Sequence, residues 1–220
     1  MATTIWRRPA IGLWLLALLL TAPAAARNIN VAGDFDFYVL SLSWSPSYCE
    51  AEGSRADRSQ CSAGRPYAFV VHGLWPQYER GFPEFCRALP SRAPETVVRA
   101  MLDVMPSPNL VRHEWEKHGV CSGMTPQGYF AKLRAARDRI AIPPAFVGPR
   151  DYRMVGTMDV ERSFQAANPG LQADAVAVTC DSRRLREVRI CMTKDLRFRP
   201  CPEIDRRACR NPRLAVPPVR

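Results

Sequence analysis

Histidine is scarce in this chain, with three among 220 residues. None is left for scattered structural use, because all three fall inside two short motifs, His72-Gly-Leu-Trp-Pro76 and His113-Glu-Trp-Glu-Lys-His118. Lysine is almost as rare. Of 31 basic residues only Lys117, Lys132 and Lys194 are lysines, and Lys117 lies within the second motif. No Asn-x-Ser/Thr triplet occurs, so no N-glycan is expected. The apolar run Ile11–Leu20 is too short for a comfortable membrane span. No cysteine follows that run closely, which argues against a lipoprotein anchor. No repeat or linker divides the chain.

The first 26 residues read as an export signal. Arg7 and Arg8 precede the apolar run, and Ala24-Ala25-Ala26 offers a small-residue cleavage site. A retained signal anchor is the weaker alternative. Cleavage leaves residues 27–220 as a single domain long enough for a real core. It also removes Arg7 and Arg8 with no acid, taking the formal net charge from +10 to +8. Such a surplus fits a polyanionic partner, although an exported protein can be basic without one. All eight cysteines (Cys49, Cys61, Cys86, Cys121, Cys180, Cys191, Cys201, Cys209) fall in the mature part. An even number in an exported chain implies a disulfide framework, with on the order of a hundred possible connectivities. Together these features favour a bacterial periplasmic or secreted protein, without a membrane anchor after cleavage.

The run Asp36–Trp44 is β-branched, aromatic and apolar, as in a buried strand stopped by Pro46. Tyr67–Gly73 reads as a second strand, placing His72 at or near its end. Cys49–Arg65 is polar and loop-like. Apolar residues at helical spacing mark a helix over 94–105, with Ser91 as a nearby cap. Thr125-Pro126 starts another helix, with Tyr129–Ile140 amphipathic, and Thr157–Ala167 is a third. Ala173–Thr179 and Val188–Met192 read as strands, and Pro217-Pro218 belong to a frayed tail. Strands and helices without regular βαβ alternation predict an α+β fold.

If residues 113–121 are helical, His113 and Lys117 form one i,i+4 pair, and Glu114 and His118 another. The four then share an arc of roughly 140° on one face. A solvated charged face is the bland alternative. Zinc is disfavoured: the protease pattern is H-E-x-x-H, whereas H-E-x-x-x-H sets the imidazoles about 140° apart beside a repelling lysine. A Cys121–His118 nucleophile is disfavoured because an exported cysteine is normally oxidised. What remains is proton transfer at a centre stabilised by cations. Phosphoryl chemistry fits, with one imidazole taking a proton from the attacking oxygen and another protonating the leaving oxygen. If the polyanion is RNA, its 2′-OH can attack, requiring neither metal nor other cofactor. Trp75 could stack a base or could equally be a core residue.

The segments Phe69-Val-Val-His72-Gly-Leu-Trp-Pro76 and His113-Glu-Trp-Glu-Lys-His-Gly-Val-Cys121 resemble the two signatures of the ribonuclease T2 family of secreted acid-type endoribonucleases. The run Leu40-Ser-Leu-Ser-Trp-Ser-Pro46 through to Cys49 is similar to the family's bacterial branch. The resemblance covers most of residues 36–201. It implies an α+β fold with a central antiparallel sheet flanked by helices and stapled by disulfides, acting as a monomer on RNA. By position it makes His72 the general acid and His118 the general base, although sequence alone does not fix which is which. Glu114 and Lys117 become transition-state stabilisers, His113 a phosphate holder and Trp75 the base-stacking residue. The implied product is a 2′,3′-cyclic phosphate. The implied bridges are Cys49–Cys61, Cys86–Cys121, Cys180–Cys209 and Cys191–Cys201. Two positions depart from the pattern: Gln77 stands where many members have aspartate, and Val120 replaces a usual threonine. The first leaves base preference open.

Overall fold

The computed structural model describes residues 1–2, 30–62, 64–88 and 90–220. Residues 3–26 of the expected export signal therefore lie outside the described residues. Strands β1 (Phe37–Trp44), β2 (Phe69–Gln77), β4 (Val176–Cys180) and β5 (Leu185–Met192) form an antiparallel sheet in the order β2-β1-β5-β4. A second, two-stranded sheet pairs β3 (Arg153–Gly156) with β6 (Arg213–Val216). Around them pack α1 (Ser45–Glu52), α2 (Arg58–Cys61), α3 (Glu95–Ala100), α4 (Pro108–Lys117), α5 (Pro126–Asp138), α6 (Thr157–Ala167) and α7 (Pro202–Arg206). This is the α+β architecture that the element pattern predicts, with the central antiparallel sheet that the family resemblance implies.

β1 is buried along nearly its whole length because both of its faces are covered. Tyr38, Leu40, Leu42 and Trp44 point into the main core with Trp115, Phe130, Leu133 and Phe164. Phe37 and Val39 join Cys191 and Cys201 in a smaller cluster on the opposite face. Each such buried side chain contributes about 1.5–3 kcal/mol. The four disulfides are Cys49–Cys61, Cys86–Cys121, Cys180–Cys209 and Cys191–Cys201, the pairing the family resemblance implies.

Several local expectations are corrected. The strand does stop before Pro46, but that proline opens helix α1, since proline suits a first helical turn. Asp57 accepts from the Ser59 amide at 2.8 Å and starts α2, so Cys49–Arg65 is mostly helical. α3 is shorter than residues 94–105 suggest and has no side-chain cap. Residues 173–175 form a short 3₁₀ turn before β4. The tail is not frayed: β6 pairs with β3, and the Trp44 indole donates to the Pro217 carbonyl at 3.1 Å. β2 runs on through Gly73 and Pro76. At a sheet edge a missing N–H costs no ladder bond, so Pro76 is tolerated there.

Candidate active site

His72 sits in the middle of β2, at a β-bulge, rather than at a strand end. Ser41 pairs with Gly73 and Leu42 with Val71, so His72 is the extra residue. A bulge shifts the two-residue alternation and re-aims a side chain. Val71 and Leu74 therefore face the main core, while His72 and Trp75 share the other face, their rings 5.2 Å apart. On β5, separated from β2 by β1, Glu187 and Arg189 are two residues apart and thus on one face of that strand. Glu187 Oε1 lies 2.6 Å from His72 Nδ1, and Arg189 holds the other carboxylate oxygen at 2.7 Å.

The second motif approaches from α4. Ser107 caps this helix by accepting from the Leu110 amide at 3.2 Å, and Pro108 occupies its first turn. The helix ends at Lys117, so the helical face expected over residues 113–121 is only partly realised. His118 leaves it with φ −114° and ψ −46°, its N–H still donating to the Glu114 carbonyl at 3.1 Å. Residues 119–122 then tighten into a 3₁₀ turn.

Glu114, 1% exposed, extends over β2. It accepts from the Trp75 indole N–H at 2.7 Å through Oε2, and its Oε1 lies 3.6 Å from His72 Nε2. Gly73 is what lets it approach. A Cβ there would stand 2.0 Å from Glu114 Oε2 and 2.4 Å from Trp75 Nε1. The Arg189 guanidinium lies over the Trp75 ring at 5.1 Å. His72, Glu187, Arg189, Trp75 and Glu114 thus close a ring of contacts, and the His118 ring packs against Trp75 from 5.4 Å. His118 is 6% exposed, and its buried Nδ1 has no hydrogen-bond partner among the described residues.

These surroundings drive the two imidazoles apart. Burial pulls the His72 pKa down, but the Glu187 hydrogen bond and the charges of Glu114 and Glu187 outweigh it, against Arg189. The net shift is upward. Burial, reinforced by the positive charges of Lys117, His72 and His113, pushes His118 down to about 3. Burial also lifts the Glu114 carboxyl to about 7, against the attraction of His72 and the Trp75 hydrogen bond. Glu187 is buried as well, yet its bond and attraction to His72, with Arg189, hold it at about 2. Near pH 5 the arrangement is therefore a charged His72–Glu187 pair beside a neutral Glu114 and a neutral His118.

Of the six residues singled out in the sequence, His72, Trp75, Glu114 and His118 converge on one cleft. Lys117 is half-buried at its edge, its Nζ 3.5 Å from Glu84 Oε2. His113 is exposed and lines an open hollow of about 540 Å³ with Tyr48, Ser107 and Leu110. The same three residues also line the neighbouring hollow that reaches His72 and Glu187, so His113 adjoins the cleft without touching its centre. Glu187 and Arg189 were not singled out. Their only signal was their alternate positions in the strand Leu185–Met192, which also carries Arg186.

The profile of the ribonuclease T2 family matches residues 35–201. A protein of Aeromonas hydrophila named ribonuclease is 36% identical over 190 residues, covering 82% of this chain and 83% of that one. Among solved structures, RNase NT in complex with 5′-AMP is 25% identical, with a TM-score of 0.61 over 84% of this chain and 99% of that one. The fold is also that of an RNase-related protein from Calystegia sepium, at 19% identity, with a TM-score of 0.68 over 84% and 98% of the two chains.

Proposed function

The chain belongs to the ribonuclease T2 family and is a T2-type endoribonuclease, and from that premise we propose that it cleaves single-stranded RNA by metal-independent transesterification, with His118 as general base and His72 as general acid. The observation that carries this reading is the opposite perturbation of the two imidazoles that pack against Trp75.

His118, neutral above about pH 3, has a lone pair ready for the proton of the 2′-OH. O2′ then bonds to phosphorus while the P–O5′ bond breaks, and His72 gives its proton to O5′. Because Nδ1 of His72 is committed to Glu187, the donating nitrogen is Nε2, on the Glu114 side. The products are a 2′,3′-cyclic phosphate and a free 5′-OH. Glu187 stays ionised throughout and stabilises the imidazolium. An anionic phosphate in the cleft offsets the cations that depress His118, raising its basicity when substrate is bound.

Glu114 is suited to the transition state because it is neutral at acidic pH. An ionised carboxylate would repel the phosphate, whereas a protonated one can donate a hydrogen bond to a nonbridging oxygen. Lys117 supplies positive charge at the cleft edge, and His113 holds a neighbouring phosphate. Trp75 offers a base the part of its ring that Arg189 leaves uncovered. Residues 1–26 direct export, and residues 27–220 form the one catalytic domain, acting as a monomer in the periplasm or outside the cell. Four disulfides suit that oxidising compartment, and no described helix is long and apolar enough to cross a membrane.

The test is digestion of a dinucleotide panel by the purified mature protein, with product end-groups identified. Cyclic phosphate products, near-complete loss of cleavage in His72→Ala and His118→Ala, and no cleavage of DNA are expected. Equal turnover of RNA and DNA, or activity lost to EDTA and restored by zinc, refutes the mechanism.

A further inference from the structure

Beside α4 and the turn that follows it lies an open hollow of about 800 Å³ that the mechanism above does not use. Phe85, Arg87 and Arg92 line it, with Glu116 and Val120 as the wall from the second motif. Phe85 is 60% exposed, an unfavourable place for a large apolar ring. Its backbone is also costly: φ is +50°, a left-handed conformation that penalises residues other than glycine by about 1–2 kcal/mol. That conformation is pinned from both sides. The Phe85 amide donates to the Lys117 carbonyl at 2.8 Å, and Cys86 is bridged to Cys121. A strained, exposed aromatic held rigidly beside a catalytic lysine marks a functional position.

The charge pattern points the same way. Arg112, Arg134 and Arg199 are held by Glu95, Asp103 and Glu79. Arg87 and Arg92 are exposed and have no ion-pair partner among the described residues. Rigid stacking rings interleaved with free cations are what a single nucleic-acid strand binds, bases on the rings and phosphates on the cations. The hollow abuts the second motif through Glu116 and Val120. Phe82, 40% exposed, packs its ring 6.2 Å from His118, and Glu84, next to Phe85 in the chain, pairs with Lys117.

We propose that Phe85, Arg87 and Arg92 form an additional RNA subsite that binds a nucleotide outside the reacting pair, by stacking on Phe85 and by pairing of the two arginines with phosphate. The inference rests on the proposed RNA substrate. Its consequence is a preference for long strands over dinucleotides that is independent of the chemistry at His72 and His118.

The test measures binding and cleavage separately. Binding uses uncleavable 2′-O-methyl RNA, a dimer and a hexamer, followed by fluorescence anisotropy. Wild type is expected to hold the hexamer more tightly, and Phe85→Ala to weaken the hexamer about tenfold. The double variant Arg87→Ala/Arg92→Ala leaves an exposed surface whose folding is checked by its melting temperature. It is expected to lower the slope of log Kd against log salt by about 0.7 for each phosphate that the variant no longer neutralises. In cleavage, kcat/KM falls for the hexamer and is unchanged for a dinucleotide. Equal dimer and hexamer affinity in wild type overturns the proposal. An unchanged salt slope, or equal loss on both substrates, does so too. If Phe85→Ala instead dissolves a dimer without changing hexamer binding, the surface joins two copies of the chain and the proposal falls. Failure to form a cyclic phosphate would refute the catalytic reading while leaving the binding measurement to decide this one.

Discussion

Replacing Glu114 by glutamine keeps the shape of the side chain and removes only its titration. The carboxyl ordinarily titrates near 4.5, and burial in the cleft lifts it to about 7. Between those values the native state retains a proton that the unfolded chain has released, so the native state loses stability as pH rises. Over roughly 2.5 units, at about 1.36 kcal/mol per unit, the loss amounts to about 3 kcal/mol. The attraction between His72 and the ionised carboxylate is already contained in that figure. Glutamine carries none of the cost. Relative to wild type, Glu114→Gln should be level below pH 4.5 and more stable by about 3 kcal/mol above pH 7.

Thermal melts of the two oxidised proteins from pH 4 to pH 9 provide the assay. For a domain of this size the advantage at the alkaline end corresponds to roughly 6–12 °C in melting temperature. Kinetics supply an independent arm. The amide can accept from the Trp75 N–H with its oxygen and donate with its nitrogen where the protonated carboxyl would. Its activity at pH 5 should then suffer much less than the about 10²–10³-fold cost of losing a transition-state donor, which Glu114→Ala should show in kcat. A stability difference that is the same at every pH refutes the reasoning. So does a glutamine variant less stable than wild type above pH 7.

Glu187→Gln removes the ionised partner of His72 Nδ1, so the pKa of His72 should fall. The alkaline limb of the kcat/KM profile should move to lower pH with little change in dinucleotide KM, and an unmoved limb removes Glu187 from the acid's support. Gly73→Ala places a methyl group 2.0 Å from Glu114 Oε2 and must displace that carboxylate or Trp75. Its kcat should drop by about 10²-fold or more while circular dichroism stays native, and near-normal turnover would show the approach to be unimportant. The Cys86→Ala/Cys121→Ala double variant opens a closed loop of 35 residues, costing about 4 kcal/mol in denaturant unfolding, model-dependent. A cost near zero would mean that the bridge does not restrain the two motifs.

Periodicity reveals β1 and α6 because each presents a simple pattern to the core, both faces buried in β1 and one face buried in α6. It fails at β2, where one inserted residue breaks the alternation and Pro76 looks like a stop. Nothing local says that β2 is an edge strand on which proline costs nothing. The same limit hides β3 and β6, two four-residue strands whose partners lie about 60 positions away in the chain. In the cleft, residue types chosen for proton chemistry were legible from the two motifs. Glu187 was not, because its meaning is a contact with a residue 115 positions away. Its only sequence trace is its place two positions from Arg189 in a strand that also carries Arg186.

The division of labour between the two imidazoles follows from that long-range pairing. Both rings lie against the same tryptophan and both lose water, so burial alone would push both pKa values down. His72 escapes because the bulge turns it to the face that carries Glu187 of β5, with which it forms a charged pair supported by Arg189. His118 does not escape, because its neighbours with charge are Lys117, His72 and His113, and its Nδ1 meets no acceptor. In the proposed mechanism the acid and the base are therefore distinguished by the charges each ring meets, and a one-residue insertion in β2 is what brings His72 to Glu187.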